Sequence, residues 1–169
     1  MSATPIPRTL TMTIYGDMDL SIIKEKPKAR NEVKTYSKLE TKIDEILKFI
    51  EKEINNNNQI FWVCPLIEES KKLDHTSAVQ KFEYLQKKFP NQVALLHGKT
   101  EPEEKEIILK DFLNQKTKIL VSTTIIEVGI DFPNANVIII ENANKFGLSQ
   151  LHQLRGRVGR GEKQSTCIL

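Results

Sequence analysis

Two arginines and a glutamine near the end of the chain are the side chains best suited to chemistry. In QLHQLRGRVGRG, residues 150–161, the residues Gln153, Gly156, Arg157 and Arg160 follow the pattern Q-x-x-G-R-x-x-R. On a helix, side chains three positions apart leave from the same face, so both guanidiniums would point the same way. Such a pair suits a phosphate, and an arginine finger accelerates phosphoryl transfer by about 10³- to 10⁵-fold. A solvated basic helix end is the alternative interpretation.

The distribution of basic residues supports a phosphate partner more than their number does. The net charge is only +3, from 25 basic and 22 acidic residues, which is too small to indicate nucleic acid by itself. Five basic residues are arginines, and three of the five lie within six positions, at Arg155, Arg157 and Arg160. Because the guanidinium is a rigid, permanently charged fork, this local concentration favours an anionic oxygen ligand.

A second candidate segment is STTIIEVGIDFPNA, residues 122–135. It begins where a predicted strand ends, with Ser122 and Thr123, and it places Gly129 and Asp131 at the turn that follows. Hydroxyls and backbone N–H groups at the carboxyl end of a parallel strand are well placed to hold phosphate, and a carboxylate can accept from a ribose hydroxyl. An ordinary strand turn with an Asx cap would also explain Gly129 and Asp131.

With SATPIPRT at residues 2–9, these segments acquire a specific resemblance. SATPIPRT is similar to motif III of superfamily 2 helicases, STTIIEVGID to motif V and QLHQLRGRVGR to motif VI. Further stretches, WVCPLIEES, ALLHGKTEPEEKE and IENANKFGLSQLHQLRGRVGRG, resemble the RecG family of branched-DNA helicases over nearly the whole chain. The resemblance implies a RecA-like three-layer αβα domain, a P-loop NTPase-type fold that lacks the P-loop, with a mainly parallel sheet.

The resemblance also implies roles at the nucleotide. Arg157 and Arg160 would reach the phosphates of ATP across a cleft between two motor domains, and Gln153 would help to orient them. Gly129 and Asp131 would line the same cleft. The bacterial family acts in the cytoplasm on branched DNA, forks and Holliday junctions, so a soluble bacterial cytoplasmic protein with no membrane partner is expected.

A separate group of residues is expected near the DNA backbone, where contacts are to phosphate and independent of base sequence. The resemblance places Ser122 and Thr123 there, together with the loops at Pro65 and at His97-Gly98. A plain turn between a strand and a helix is the alternative explanation for Gly98.

The phosphate- and metal-binding motifs of a complete motor are not found in this sequence. Gly98-Lys99-Thr100 resembles the end of a P-loop, but Val93 stands where its first glycine is needed. Asp44-Glu45 lies inside a predicted helix instead of after a buried strand. In the family both motifs belong to the preceding motor domain, which would hold most of ATP and Mg²⁺. We therefore expect no metal site here, no ATP or Mg²⁺ bound to this chain alone, and no ATP hydrolysis by it.

Alternating helix and strand patterns predict a parallel sheet covered on both faces. Ser37 and Glu40 would form a capping box for the first helix, and Thr100 and Glu103 would cap the third. Pro102 would lie in the first turn of that third helix. The predicted helices cover about 37–54, 77–89, 100–112 and 149–158, and the predicted strands cover 60–67, 93–98, 118–125, 136–143 and 165–169.

The first 30 residues do not fit this alternation. A proline-containing, charged stretch at 23–32 has linker composition, so we expect residues 1–30 to be the tail of a preceding motor domain plus a linker. Residues 31–169 would form the second RecA-like domain, truncated at its carboxyl end. The orphaned apolar residues of the tail could produce a non-native dimer.

Composition and motifs limit the other classes of protein. The 39% apolar content suffices for one domain with its own core, and Cys64 and Cys167 have no metal-binding spacing, so both are expected to be buried thiols. A transcription-repair coupling factor shares SATPIPRT and the arginine motif, but WVCPLIEES favours the RecG family. A non-catalytic interaction domain with a helicase fold is the alternative from another class, and the retained Arg157 and Arg160 argue against it.

Overall fold

A computed structural model of the chain describes residues 31–65, 71–123, 132–161 and 163–169, with the side chains of 71–76 left aside. Its centre is a six-stranded sheet with the order β1-β6-β5-β2-β4-β3, and every neighbouring pair is parallel. The predicted α/β architecture with a parallel sheet is therefore confirmed. The strands are Lys34–Tyr36 (β1), Gln59–Val63 (β2), Val93–Leu96 (β3), Ile119–Ser122 (β4), Ala135–Ile140 (β5) and Thr166–Ile168 (β6).

Four α-helices connect these strands. They are Ile43–Asn55 (α1), Lys71–Lys88 (α2), Pro102–Leu113 (α3) and Leu148–Arg155 (α4), with short 3₁₀ turns at Glu40–Lys42 and Ala143–Lys145. Helices α1 and α2 pack on one face of the sheet, and α3 and α4 pack on the other. The connections from β1 to β2 and from β2 to β3 advance in the sheet order and run over the α1/α2 face. The connections from β3 to β4 and from β5 to β6 go back in that order and run over the α3/α4 face, as right-handed crossovers require.

The two faces hold two separate cores because the strands are buried on both sides. On the α1/α2 face, Ile50, Trp62 and Leu85 are almost completely buried. On the α3/α4 face, Phe61, Phe112 and Phe132 form an aromatic cluster, with ring centroids 5.3 to 5.7 Å apart. Such tilted and edge-to-face pairs add to the stabilisation from apolar burial.

Since all strands are parallel, the sheet has one amino edge, where strands begin, and one carboxyl edge, where they end. Asn58, Asn134 and Ser165 precede β2, β5 and β6 and mark the amino edge. Cys64 and Thr123 follow β2 and β4 and mark the carboxyl edge. A four-residue strand rises by roughly 13 Å, so side chains at opposite edges do not meet directly.

Both predicted capping boxes are wrong. The backbone at Ser37 and Lys38 still follows the sheet, where Lys38 N donates to Leu169 O at 2.9 Å, and α1 begins only at Ile43. At α3, Glu101 is the N-cap residue and makes no side-chain capping bond. Thr100 Oγ1 instead accepts from His97 N at 3.1 Å, while Pro102 occupies the first turn as predicted.

Two further elements differ from the sequence-based prediction. Helix α2 begins at Lys71, six residues before the predicted start, because its first turns are polar and carry no apolar periodicity. Strand β1 was not predicted at all, since its three residues are exposed and its pairing with β6 is non-local. The predicted strand end at 124–125 lies outside the described residues. Among the described helices, none combines the length and the apolar composition needed to cross a membrane.

Candidate functional site

The arginine motif lies at the end of a helix and in the loop that follows. Helix α4 ends at Arg155, and Arg157 N donates to Leu154 O at 2.9 Å in the turn after it. The prediction of a helix through Val158 is therefore wrong, and the shared helix face proposed for Arg157 and Arg160 does not exist. The structure places Gln153 exposed on α4, Arg157 partly buried and Arg160 exposed.

The loop of residues 156–165, called the arginine loop below, is anchored by Val158. That side chain is completely buried in the core on the α3/α4 face. Arg157 directly precedes this buried side chain, and Arg160 follows it by two residues. The packing of Val158 in the core therefore restrains the backbone between the two arginines. A packed anchor of this kind limits where both guanidiniums can reach.

Two glycines let the arginine loop approach its neighbours closely. Gly159 has φ +79°, and a β-carbon placed on it would lie 2.9 Å from Val33 Cγ2. A β-carbon on Gly161 would lie 2.7 Å from Pro133 O. Contacts that short do not occur at real β-carbons, so glycine is required at both positions. Val33 precedes β1 and Pro133 precedes β5, which locates the arginine loop at the amino edge of the sheet.

A buried polar network fixes the far end of the arginine loop. Lys163 Nζ donates to Asn58 Oδ1 and to Asn56 O, both at 3.0 Å. Asn136 Nδ2 donates to the same Asn58 Oδ1 at 3.0 Å, and Ser165 Oγ donates to Asn136 Oδ1 at 3.2 Å. The sequence analysis did not predict this network, although an asparagine or serine immediately before an apolar strand indicates it. Buried polar groups that satisfy one another hold the starts of β2, β5 and β6 together.

The five residues predicted near DNA come together at the carboxyl edge. They lie at or directly after the ends of three adjacent strands, and the register pairs Ser122 with both Val63 and Leu96. Exposure divides the group: Gly98 is exposed and His97 is partly exposed, whereas Thr123 is 4% exposed and Ser122 is completely buried. The remaining member, Pro65, is also buried. His97 and Gly98 therefore form the accessible part of this edge.

His97 organises the turn that presents Gly98. Its Nδ1 accepts from Lys99 N at 3.2 Å and lies 3.2 Å from Thr100 Oγ1, while Thr100 N donates to His97 O at 3.0 Å. With Nδ1 accepting from a backbone N–H, the neutral ring carries its proton on Nε2. A β-carbon on Gly98 would meet no described atom within 4 Å, and Gly98 has no left-handed φ. Neither the backbone nor the space of this turn requires glycine.

A second cluster at the carboxyl edge surrounds Glu141, which follows β5. Glu141 Oε1 pairs with Lys81 Nζ at 2.7 Å, with the two side chains 21% and 19% exposed. Glu141 Oε2 accepts from Trp62 Nε1 at 3.3 Å and from Cys64 Sγ at 3.5 Å. Lys81 Nζ also lies 5.1 Å from the Trp62 ring centroid. The cluster ties β2, β5 and α2 together, and nothing in the spacing of these residues in the sequence indicated it.

Both cysteines are buried thiols, as predicted. Burial raises the pKa of the Cys64 thiol strongly, and the neighbouring Glu141 carboxylate adds to that shift. Burial also raises the pKa of Cys167 to about 11, partly offset by the positive charge of Arg155. Neither thiol has the depressed pKa of a reactive cysteine.

Gly129 and Asp131 lie outside the described residues. The next two residues are described: Phe132 is buried in the core on the α3/α4 face, and Pro133 contacts Gly161 at the amino edge. The segment from Ser122 to Pro133 therefore starts at the carboxyl edge and ends at the amino edge, beside the arginine loop. The arginine loop, with Arg157 and Arg160, and the residues predicted near DNA therefore lie at opposite edges of the sheet.

A parallel α/β sheet with an arginine loop at one edge is the arrangement expected of a motor-type domain. Residues 41–162 match the helicase conserved C-terminal domain. The chain belongs to that family. Among its relatives, the ATP-dependent DNA helicase RecG of Aquifex aeolicus is 52% identical over 170 residues, covering 100% of this chain and 21% of the relative. The RecG of Bacillus subtilis is 50% identical over 171 residues, covering 100% of this chain and 25% of the relative.

A solved structure gives the same result in three dimensions. RecG bound to a three-way DNA junction superposes with a TM-score of 0.80 at 45% sequence identity, covering 100% of this chain and 22% of that one. The fold is therefore the RecA-like αβα fold of helicase domains. The chain spans about a quarter of the length of the curated relatives that it matches.

Proposed function

We propose that this chain is the second RecA-like motor domain of a RecG-type ATP-dependent DNA helicase that remodels branched DNA and stalled forks. The proposal is supported by about 50% identity to RecG proteins along the whole chain. The structural observation that carries it is the arginine loop, in which Arg157 and Arg160 lie on either side of the buried Val158, and Gly159 and Gly161 closely approach other segments. A loop backbone held in place by this packing suits guanidiniums that stabilise charge in a transition state.

The nucleotide side of this proposal consists of Arg157, Arg160 and Gln153, with Gly129 and Asp131 lining the cleft. The guanidiniums fit the anionic phosphates of ATP, and Arg160 is exposed at the rim of the domain, where a second domain can reach it. Hydrolysis of ATP would supply the free energy for movement along DNA. By the family pattern, the preceding motor domain would hold Mg²⁺ and most of the nucleotide.

The role of this chain's own residues in hydrolysis is electrostatic. Negative charge spreads over the oxygens of the transferred phosphoryl group as the bond to the leaving oxygen weakens. Arg157 and Arg160 would donate hydrogen bonds to those oxygens, and Gln153, one turn earlier on α4, would orient them. Because this charge grows only in the transition state, the arginines are expected to act on turnover more than on nucleotide affinity.

The DNA side of this proposal is the carboxyl edge. His97 and Gly98 are the accessible residues of the group, and no described atom lies within 4 Å of a β-carbon position on Gly98, so a phosphodiester backbone could approach it closely. Ser122, Thr123 and Pro65 lie directly behind them and would shape the edge or contact DNA after a local movement. RecG has been seen bound to a three-way DNA junction, and we assign a comparable branched substrate to the parent of this chain.

The test is Arg160→Ala in the full-length helicase that carries this domain. We expect DNA-stimulated ATP hydrolysis to fall by about 10³-fold or more, with the dissociation constant for ATP changed by less than about threefold. Arg155→Ala is the matched control, since Arg155 contacts His152 and lies outside the motif pattern. The proposal is wrong if the Arg160 variant loses ATP affinity but keeps its turnover, or if both variants behave alike.

The division of the chain belongs to the same proposal. Residues 31–169 would form the second motor domain, and residues 1–30 would belong to the preceding one and its linker, with a possible non-native dimer through the tail. The isolated chain would then bind neither ATP nor Mg²⁺ tightly and would not hydrolyse ATP. In the full-length helicase, the preceding motor domain would supply the phosphate-binding loop.

A further inference from the structure

The residue that precedes β1, Val33, packs against the arginine loop. Val33 is partly buried and belongs to the packing around the core on the α3/α4 face. Its Cγ2 occupies the space that a side chain on Gly159 would need, at 2.9 Å from the β-carbon position. The residue before Arg160 is therefore in direct contact with the last residue before β1.

Hydrogen bonds on both sides hold this contact in place. Gln164 Nε2 donates to Glu32 O at 2.6 Å, and Lys34 N donates to Ser165 O at 2.9 Å. Three consecutive residues around Val33 are thus tied to the arginine loop, and Lys34 continues into the β1–β6 pairing. A displacement of Val33 cannot leave the arginine loop where it is without breaking these bonds.

The backbone next to Arg160 is where such a displacement would act. Val158 is locked in the core, whereas Arg160 is exposed, and Gly159 joins them in a left-handed conformation. Glycine has little conformational preference of its own, so the packing around it sets its dihedral angles. The Val33 side chain contacts Gly159 from outside the loop, and it therefore helps to set the direction in which Arg160 leaves the domain.

We propose that Val33 is a positioning residue for Arg160, because its contact with Gly159 sets the direction in which Arg160 leaves the domain. This inference rests on the proposed function, because it assumes that Arg160 acts on ATP bound by the preceding domain. A misplacement of about 1 Å in a catalytic group can cost up to about a hundredfold in rate.

The experiment compares Val33→Ala, Val33→Ile and Val79→Ala in the full-length helicase, with Arg160→Ala as the reference. Val79 lies on α2, on the other face of the sheet, and has a similar intermediate exposure, so its truncation removes the same atoms far from the arginine loop. We expect Val33→Ala to lower the DNA-stimulated kcat about tenfold, with KM for ATP changed less than about twofold. Val33→Ile, which keeps a branched side chain, should restore most of the rate, and Val79→Ala should keep it.

Other results would overturn the inference. If Val33→Ala keeps kcat within about twofold of the wild type, or raises KM at unchanged kcat, Val33 does not position Arg160. Equal losses in Val33→Ala and Val79→Ala, with equal falls in melting temperature, would reduce its role to general stability. Arg160→Ala separates the two proposals: if that variant keeps its turnover, the proposed function fails as well, whereas if only Val33→Ala keeps it, this inference alone fails.

Discussion

The carbonyl oxygen of Pro133 lies only 2.7 Å from the position that a β-carbon would occupy on Gly161. Pro133 comes two residues after Asp131, and Gly161 comes directly after Arg160. The two segments predicted to face the nucleotide therefore pack backbone against backbone at the amino edge. They are far apart in sequence, and only glycine permits this approach.

Gly161→Ala should destabilise the domain. The added methyl group would meet a backbone oxygen that cannot rotate away, and overpacking of this kind costs about 1–3 kcal/mol. For a domain of this size that corresponds to a fall in melting temperature of roughly 2–12 °C. Thermal unfolding followed by circular dichroism measures the change, and Gly98→Ala is the control because no described atom lies within 4 Å of its β-carbon position. Equal melting temperatures for the two variants would contradict the close packing at Gly161.

Gly98→Ala should separate DNA contact from stability. Because the turn at His97–Thr100 does not need glycine, the melting temperature should change by less than about 2 °C. In the full-length helicase, however, a methyl group at this accessible edge would hinder the approach of a phosphodiester backbone, and we expect DNA affinity to fall about threefold to tenfold. Fluorescence anisotropy with a labelled three-way junction measures the affinity. Unchanged affinity would remove Gly98 from the proposed DNA edge.

The cysteines predict a pH dependence. Burial raises the pKa of Cys167 to about 11 from a usual 9.0, and it raises the pKa of Cys64 as well. A group whose pKa is raised by folding adds stability that is fully present below the unfolded value and is lost as pH rises towards the folded one. The free energy of unfolding should therefore fall as pH rises above 9.0, in the wild type more than in Cys167→Ala.

The same shift predicts slow thiol chemistry in the folded protein. At about pH 8 both thiols are protonated and buried, so Ellman's reagent should react with them slowly, and both should react at once in guanidinium chloride. Reaction of either thiol in the native protein at the rate of a free thiol would show that burial of that cysteine is not maintained in solution.

Removing residues 1–28 tests the proposed domain boundary. The tail carries Ile6, Leu10, Met12, Ile14 and Tyr15 in its sequence, and full burial of each such side chain is worth roughly 1.5–3 kcal/mol. If these residues belong to a preceding domain, their removal should leave the melting temperature nearly unchanged and favour a monomer. Size-exclusion chromatography with light scattering and thermal unfolding give both readouts. A large fall in melting temperature would place the tail in the core of this domain.

Local pattern was sufficient for most of the framework. The predicted strands at 60–67 and 136–143 contain the apolar runs around Trp62 and Ile138, which are buried in β2 and β5. The predicted helix at 37–54 contains Ile46, Leu47 and Ile50, which form the buried side of α1. These predictions depend on burial and on neighbours within one turn or one strand, which the order of residues already contains. Apart from the missed strand β1, the errors occurred at element ends, where a competing contact decides, as Thr100 shows by bonding His97 instead of capping α3.

The sequence by itself determined that a parallel α/β domain would form, and it predicts that arginines, glycines and hydroxyls carry its chemistry. Only the tertiary structure decided that Arg157 and Arg160 are mounted on a loop anchored by Val158, at the edge opposite His97 and Gly98. That arrangement rests on contacts between residues distant in sequence, such as Val33 with Gly159. No periodicity within one segment records such a contact, because its energy exists only after the sheet has brought the two segments together.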